Sequence, residues 1–551
     1  MGEMMVERKS QGSKKKLIFR GLGAMISFIC IAGLAVAFAP KEEETKQKEN
    51  TDVILEVGVV QRFGEESTDE LTISATGGGK LTLQFLAGDM SSTTVEAKEV
   101  KIQLSGTPLA EPKVVEKVIL SDRSTFETAE DSSLGWEELG VATEVTQPGR
   151  WQVWAKRDVY QTPLLRRLLL ETLQAQGYQD TYLETEVLET EKKIAFTVGG
   201  YRYNRQKLTI TADNELIQVL DQEDKRSPYL YSGYLEFQPN AYDDFSLVNH
   251  VPLETYLRGV VPHEIGPNAP YNAVEAQTII ARTYALRNLR RFKADDYQLC
   301  ATVHCQVYRG LSGTSASADK AIAATTGLVL TYENELVDAL YSAATGGVTA
   351  SFGDIWDGEK RPYLQPVIDS PNPMWDLSQK PLENEANFRQ FIASKAGFNE
   401  SDVDAFRWNK QSSIEQLTKD LQRYLTNTKS PLAGFTTINK MEITERSPSG
   451  RVLTLTAETD KGLVELHKNE ARSAFGPPRS TLFYLEPVYG ANQNLTAYKF
   501  IGGGFGHGVG MSQYGSYNLA NLGWSSQKIL DFYYPNTEIK PLDDSIVFFP
   551  E

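Results

Sequence analysis

Gly259-Val-Val-Pro-His-Glu264-Ile-Gly-Pro267 sets one acid in an apolar stretch, and Ala276-Gln-Thr-Ile-Ile-Ala-Arg282-Thr-Tyr-Ala-Leu286 follows it. Cys300-Ala-Thr-Val-His304-Cys305-Gln-Val-Tyr308 closes the segment. The glycines and prolines around Glu264 predict a rigid turn, with Pro262, Ile265 and Pro267 as apolar neighbours. A carboxyl desolvated in such a setting keeps its proton to higher pH and can donate it. Arg282 falls on the best helix pattern of the chain, residues 270–290. Ala273, Ala276, Ile280, Tyr284 and Leu286 recur there at roughly helical spacing, with Asn272 as the candidate cap. Cys300, His304 and Cys305 bring soft or borderline ligands together. They suit a structural zinc if a fourth ligand is found, or a disulfide, or free thiols. The zinc-protease word H-E-x-x-H is absent, since His263-Glu264 lacks its second histidine.

A second patch, Gly502-Gly-Gly-Phe-Gly-His507-Gly-Val-Gly-Met-Ser-Gln513-Tyr-Gly515, holds seven glycines. It lacks the Walker lysine and the dinucleotide spacing, which argues against a phosphate cradle. Glycine at that density lets backbone approach a ligand or another strand closely. A shorter stretch, Tyr341-Ser-Ala-Ala-Thr-Gly-Gly-Val-Thr349, lies between the two. No nucleophile elbow for a Ser–His–Asp triad is recognisable.

The chain has 551 residues, 41% hydrophobic and 23% charged, which predicts two or three globular domains. A net charge of -16 argues against nucleic acid as the main partner. Six basic residues between Arg8 and Arg20 precede an uncharged run of 19 residues, Gly21 to Ala39. That length spans the ~30 Å apolar layer of a bilayer as a helix. The basic flank should stay cytoplasmic, so the expectation is a single-pass membrane anchor with everything after Pro40 outside the cytoplasm. The alternative is a secretory signal cleaved after Ala37-Phe-Ala39, which Pro40 would hinder.

Residues 1–40 thus form a basic stub and anchor, and 41–53 a charged tether. A β-rich region is expected over 54–145, with short strands such as Leu81–Phe85 and Val100–Leu104. Over 146–200 a strand near Arg150–Ala155, a helix from Thr162 to Gln176 ended by Gly177, and a strand near Lys193–Thr197 follow in order. Residues 201–551 form the last domain, with a strand over Tyr231–Phe237, a helix from Ser315 to Thr326 and a mainly helical insertion near 375–430. The fold class expected is α+β, a mixed, β-rich chain of several domains.

The order and spacing of these motifs over roughly residues 230–540 resemble the SpoIID (stage II sporulation protein D) family of peptidoglycan lytic transglycosylases and amidase enhancers. The 146–200 unit resembles, more weakly, the SPOR-like modules that bind glycan strands. The SpoIID resemblance implies that Glu264 is the catalytic general acid and base, supported by Arg282. It places Gln306, Tyr308, Thr349, His507 and Gln513 along the glycan groove. The partners implied are peptidoglycan strands and, in the enhancer reading, a cell-wall amidase. Catalysis of this kind needs no cofactor. Some relatives bind zinc here through two cysteines and two histidines, which would make Cys300, His304 and Cys305 metal ligands. Ala294 stands about where another histidine would be expected, and Val348 stands where the family often has one.

Overall fold

A computed structural model of the chain describes residues 53–66, 68–221 and 228–549. The Gly21–Ala39 run lies outside the described residues. Among the described residues no helix is long and apolar enough to cross a membrane.

Two large sheets dominate the first half. The seven-stranded sheet runs in the order Leu299–Cys300, Ile54–Phe63, Phe245–Pro252, Tyr234–Pro239, Leu208–Ala212, Leu81–Leu86, Ser92–Ala97. Only the pairing of Ile54–Phe63 with Leu299–Cys300 is parallel. Period-two patterning explains its facing: Leu81, Leu83 and Phe85 are buried while their neighbours point outward. The eight-stranded sheet is built on one long strand, Glu99–Arg123, which pairs with Glu70–Ala75, Trp151–Ala155 and Tyr182–Val198. Both sheets share one core with the helices Leu253–Glu264, Tyr271–Arg287 and Ala316–Ala324. Each aliphatic side chain fully buried there contributes about 1.5–3 kcal/mol.

Several elements differ from the sequence reading. The run expected as one strand over Tyr231–Phe237 is two, Tyr229–Ser232 and Tyr234–Pro239, one in each sheet. Gly233 makes the hand-over, since a Cβ there would lie 2.1 Å from the His250 carbonyl oxygen and its φ is +81°. The strand Trp151–Ala155, the helix Pro163–Ala175 and the strand Tyr182–Val198 follow in the expected order. Both strands belong to the larger sheet, however, and Trp151, Val153 and Leu173 pack with Val248, Phe292 and Cys300. The described residues form one compact unit.

The expected helical insertion carries two helices, Glu385–Ala393 and Ile414–Asn427. Between them Trp408–Ser413 is a strand paired with Leu495–Gly502, so the lobe is not mainly helical. Its core combines Leu417 and Leu421 with strand residues Leu455, Leu466 and Phe500.

Candidate active site

Glu264 is the last residue of the Leu253–Glu264 helix, so it ends a helix and does not sit in a free turn. Leu253, Tyr256, Leu257, Val260 and Val261 anchor that helix in the core. Pro262 falls in its last turn, where it has no N–H to give to the Arg258 carbonyl. Glu264 Oε1 accepts a 2.6 Å hydrogen bond from the Val307 amide, and the Tyr341 hydroxyl favours the charged form of the same carboxyl. Burial pushes the Glu264 carboxyl above its ordinary range, while these two donors pull the other way and only partly offset it. Gln513 Nε2 donates to the Glu264 carbonyl at 2.9 Å, fixing the helix end.

Behind the acid stands a buried relay. Gln306 Nε2 donates to the Tyr341 hydroxyl at 3.1 Å, and the Tyr256 hydroxyl donates to Gln306 Oε1 at 3.2 Å. Tyr341–Ser342 pairs in parallel with Met511–Ser512, which brings the two glycine-bearing patches together. Gly510 allows this approach, because a Cβ there would meet the Leu340 carbonyl at 1.9 Å.

A cleft of about 530 Å³ opens over these groups, lined among others by Glu264, Val307, Tyr341, His507 and Gln513. His507 Nδ1 accepts from the Val509 amide at 3.0 Å, and its ring lies 5.1 Å from that of Trp356. Burial, with Arg472 and Arg451 adding positive charge, pushes the imidazole down to about 3, so it is neutral at ordinary pH. The other carboxyl on the cleft wall, Glu127, is committed to Arg291 at 2.6 Å.

The structure thus gathers Glu264, His507 and Gln513 on one cleft, with His304 and Cys305 on its wall, and places the other expected site residues elsewhere. Arg282 is 0% exposed. Its Nε and Nη2 donate to Glu254 at 2.8 and 2.7 Å, and Nη1 donates to the Leu328 carbonyl at 3.0 Å. With all three directions taken, it has no reach to a substrate. It clamps the second helix to the first turn of the acid's helix. Gln306 is equally buried and acts through Tyr341. The Tyr308 hydroxyl donates to Asn249 Oδ1 at 2.8 Å inside the core. Thr349, 1% exposed, donates to the Gln365 carbonyl and accepts from the Val367 amide.

Cys300 and Cys305 are joined as a disulfide. Sulfurs bonded to each other are not thiolate ligands, and among the described residues no group of three or more His, Cys, Asp or Glu could hold a metal ion. The zinc expectation for Cys300, His304 and Cys305 is therefore not supported. His304 stays exposed on the cleft wall. Sequence reasoning missed Tyr341 as a partner of the acid, along with Ser342, Asn469 and Arg472 on the cleft. Only Tyr341 and Ser342 fall in a motif that could have drawn attention to them.

Comparison with known proteins bears on this geometry. Residues 241–332 match the family model described as Stage II sporulation protein (SpoIID), so the chain carries a SpoIID-family domain. Residues 350–510 match a Domain of unknown function (DUF8618), which encloses the expected insertion and extends beyond it. The chain is 28% identical to the amidase enhancer of Bacillus subtilis (strain 168) over 304 residues, covering 51% of this chain and 40% of that protein. It is 28% identical to the stage II sporulation protein D of Bacillus amyloliquefaciens over 316 residues, 54% of this chain and 76% of the relative. The stage II sporulation protein D of Bacillus subtilis (strain 168) is 26% identical over 320 residues, with the same coverage of 54% and 76%. The chain therefore spans well under half the length of the amidase enhancer it matches.

Proposed function

We propose that this chain is a cell-wall protein that cleaves peptidoglycan glycan strands by non-hydrolytic transglycosylation, with Glu264 as general acid and then general base. The observation that carries the reading is one carboxyl on the cleft that has no ion pair among the described residues and is held above its ordinary range by burial. Ordinary glycoside hydrolysis asks for a second carboxylate across the bond, and Glu127 is bound to Arg291.

In the proposed step Glu264 gives its proton to the bridging oxygen as the bond from that oxygen to the anomeric carbon breaks. The C6 hydroxyl of the muramic-acid sugar adds to the same carbon and passes its proton to the Glu264 carboxylate. A 1,6-anhydro ring closes, the carboxyl is restored, and no water or cofactor is consumed. Between the two transfers the Val307 N–H and the Tyr341 O–H would stabilise the carboxylate. The Gly21–Ala39 run would anchor the enzyme beside its immobile substrate, with the rest of the chain outside the cytoplasm.

A second reading rests on the similarity to a protein named amidase enhancer. In it the cleft binds strands and the chain serves a cell-wall amidase without turnover of its own.

Mass spectrometry of peptidoglycan, with and without stem peptides, after incubation with the full-length chain separates the readings. Anhydro-muramyl products are expected from the wild type and absent with Glu264→Gln. Reducing-end products would point to hydrolysis. Tight binding with no cleavage of either substrate would favour the enhancer.

A further inference from the structure

The same cleft carries a second set of polar groups that its own chain leaves unmatched. Arg472, on the short Glu470–Ser473 helix of the 350–510 region, is half-buried on the cleft wall. Among the described residues no carboxylate pairs with it, and desolvation alone acts on its guanidinium. On the same cleft, and among the described residues, Asn469 Oδ1 and Ser342 Oγ are buried without a hydrogen-bond partner, Ser342 being only 6% exposed. The other guanidinium on the cleft, Arg291, is taken by Glu127 and the His304 carbonyl. Buried polar groups are nearly always paired in a native fold, and a desolvated cation without a counter-charge is costly. Arg472 and Ser342 thus offer donors to an absent anion on this cleft, next to a neutral His507, and Asn469 Oδ1 offers an acceptor to an N–H.

We propose that Arg472, with Ser342 and Asn469, forms a carboxylate-recognition subsite that holds one carboxylate of the glycan strand while Glu264 faces the glycosidic oxygen. This rests on the reading of the cleft as a strand-binding site and names what the 350–510 region adds to it. The planar guanidinium fork matches a carboxylate in bidentate fashion. Ser342 Oγ can donate to the same group, and Asn469 Oδ1 takes an N–H such as the sugar's acetamide. The carboxylate can come from two sources: the lactyl ether of a muramic acid without its peptide, or the stem peptide itself.

Binding to the full-length Glu264→Gln chain tests the subsite without turnover. The probes are peptide-free strands with free lactyl carboxylates, the same strands methyl-esterified, and peptide-bearing strands. Adding Arg472→Gln should weaken binding of the free-carboxylate strands roughly 10- to 100-fold. Esterification should weaken the Arg472 chain by a similar factor, and the two changes together should add nothing. Arg472→Lys should keep part of the affinity, and it decides the matter should Arg472→Gln fail to fold. Arg472 dependence confined to peptide-bearing strands would keep the subsite and assign the carboxylate to the peptide. An equal loss on free and esterified strands, or no strand binding at all, would overturn it. Arg472-dependent binding with no cleavage by the wild type would sink the proposed reaction alone, and cleavage with Arg472-independent binding the subsite alone.

Discussion

A carboxyl that acts first as acid and then as base needs opposing influences, and Glu264 has them. Burial favours the neutral form, while the Val307 amide and the Tyr341 hydroxyl favour the charged one. Tyr341→Phe removes one donor and should push the carboxyl higher still. If the acid form starts the reaction, activity is full below the folded pKa and lost as pH rises through it. The alkaline limb of the kcat profile should therefore move to higher pH in Tyr341→Phe, with kcat falling about tenfold as the carboxylate loses support. A limb that stays in place would show that Tyr341 does not act on Glu264. The burial of Glu264 was legible because its apolar neighbours are adjacent in sequence, whereas its proposed role came from the SpoIID resemblance. Arg282, Gln306, Tyr308 and Thr349 are polar residues in telling motifs, yet their burial depends on Glu254, Tyr341, Asn249 and Val367, which no local pattern links to them.

Among the elements, two helices read from the sequence have side-chain caps, whereas the equally capped Phe126–Glu138 helix lies in the stretch expected to be β-rich. Ser315 caps the Ala316–Ala324 helix and Thr162 the Pro163–Ala175 helix, each through its own hydroxyl. Asn272 was misread, since Pro270 precedes the Tyr271–Arg287 helix and Asn272 instead donates to the Trp524 carbonyl at 2.7 Å. Hydrophobic alternation cannot reveal a change of sheet partner, which is why the break at Gly233 was invisible. The Arg282–Glu254 pair makes a test at this scale, because it joins two helices and only one of them bears the acid. Arg282→Met should cost about 3–5 kcal/mol in urea unfolding, since it leaves Glu254 without its guanidinium in a largely buried place. Pairing it with Glu254→Gln should recover most of that loss. A single-variant cost under about 1 kcal/mol, or no recovery in the double variant, would reduce the clamp to incidental packing.

For the molecule as a whole, the question is how the 350–510 region is held to the parts of the chain before and after it. A buried acid pair sits at that join. Glu400 Oε1 accepts from the Thr345 amide at 2.5 Å and the Ser512 hydroxyl at 2.5 Å, and Oε2 accepts from the Gly346 and Gly347 amides at 2.8 and 3.2 Å. Asp369 beside it accepts from Tyr533 and Asn399, both at 2.8 Å. Burial first, and then the nearby Glu400 charge, raise Asp369 well above its ordinary value of 3.8. An acid raised in this way gives its full stability below the unfolded pKa and loses it as pH climbs towards the folded one, by about 1.4 kcal/mol per pH unit within that window. Asp369→Asn keeps an acceptor towards Tyr533 and Asn399 and turns an amide donor towards Glu400. It should be tolerated within about 1 kcal/mol at low pH and should flatten the loss of stability above pH 4. Glu400→Gln has no such solution, because both its oxygens already face donors and an amide nitrogen in either place repels them. It should cost about 2–4 kcal/mol at every pH. Urea unfolding of the three chains across pH 4 to 8 measures both effects. Equal tolerance of the two substitutions would mean that the join is held by apolar packing around Phe398 and Phe406, and not by the acid pair.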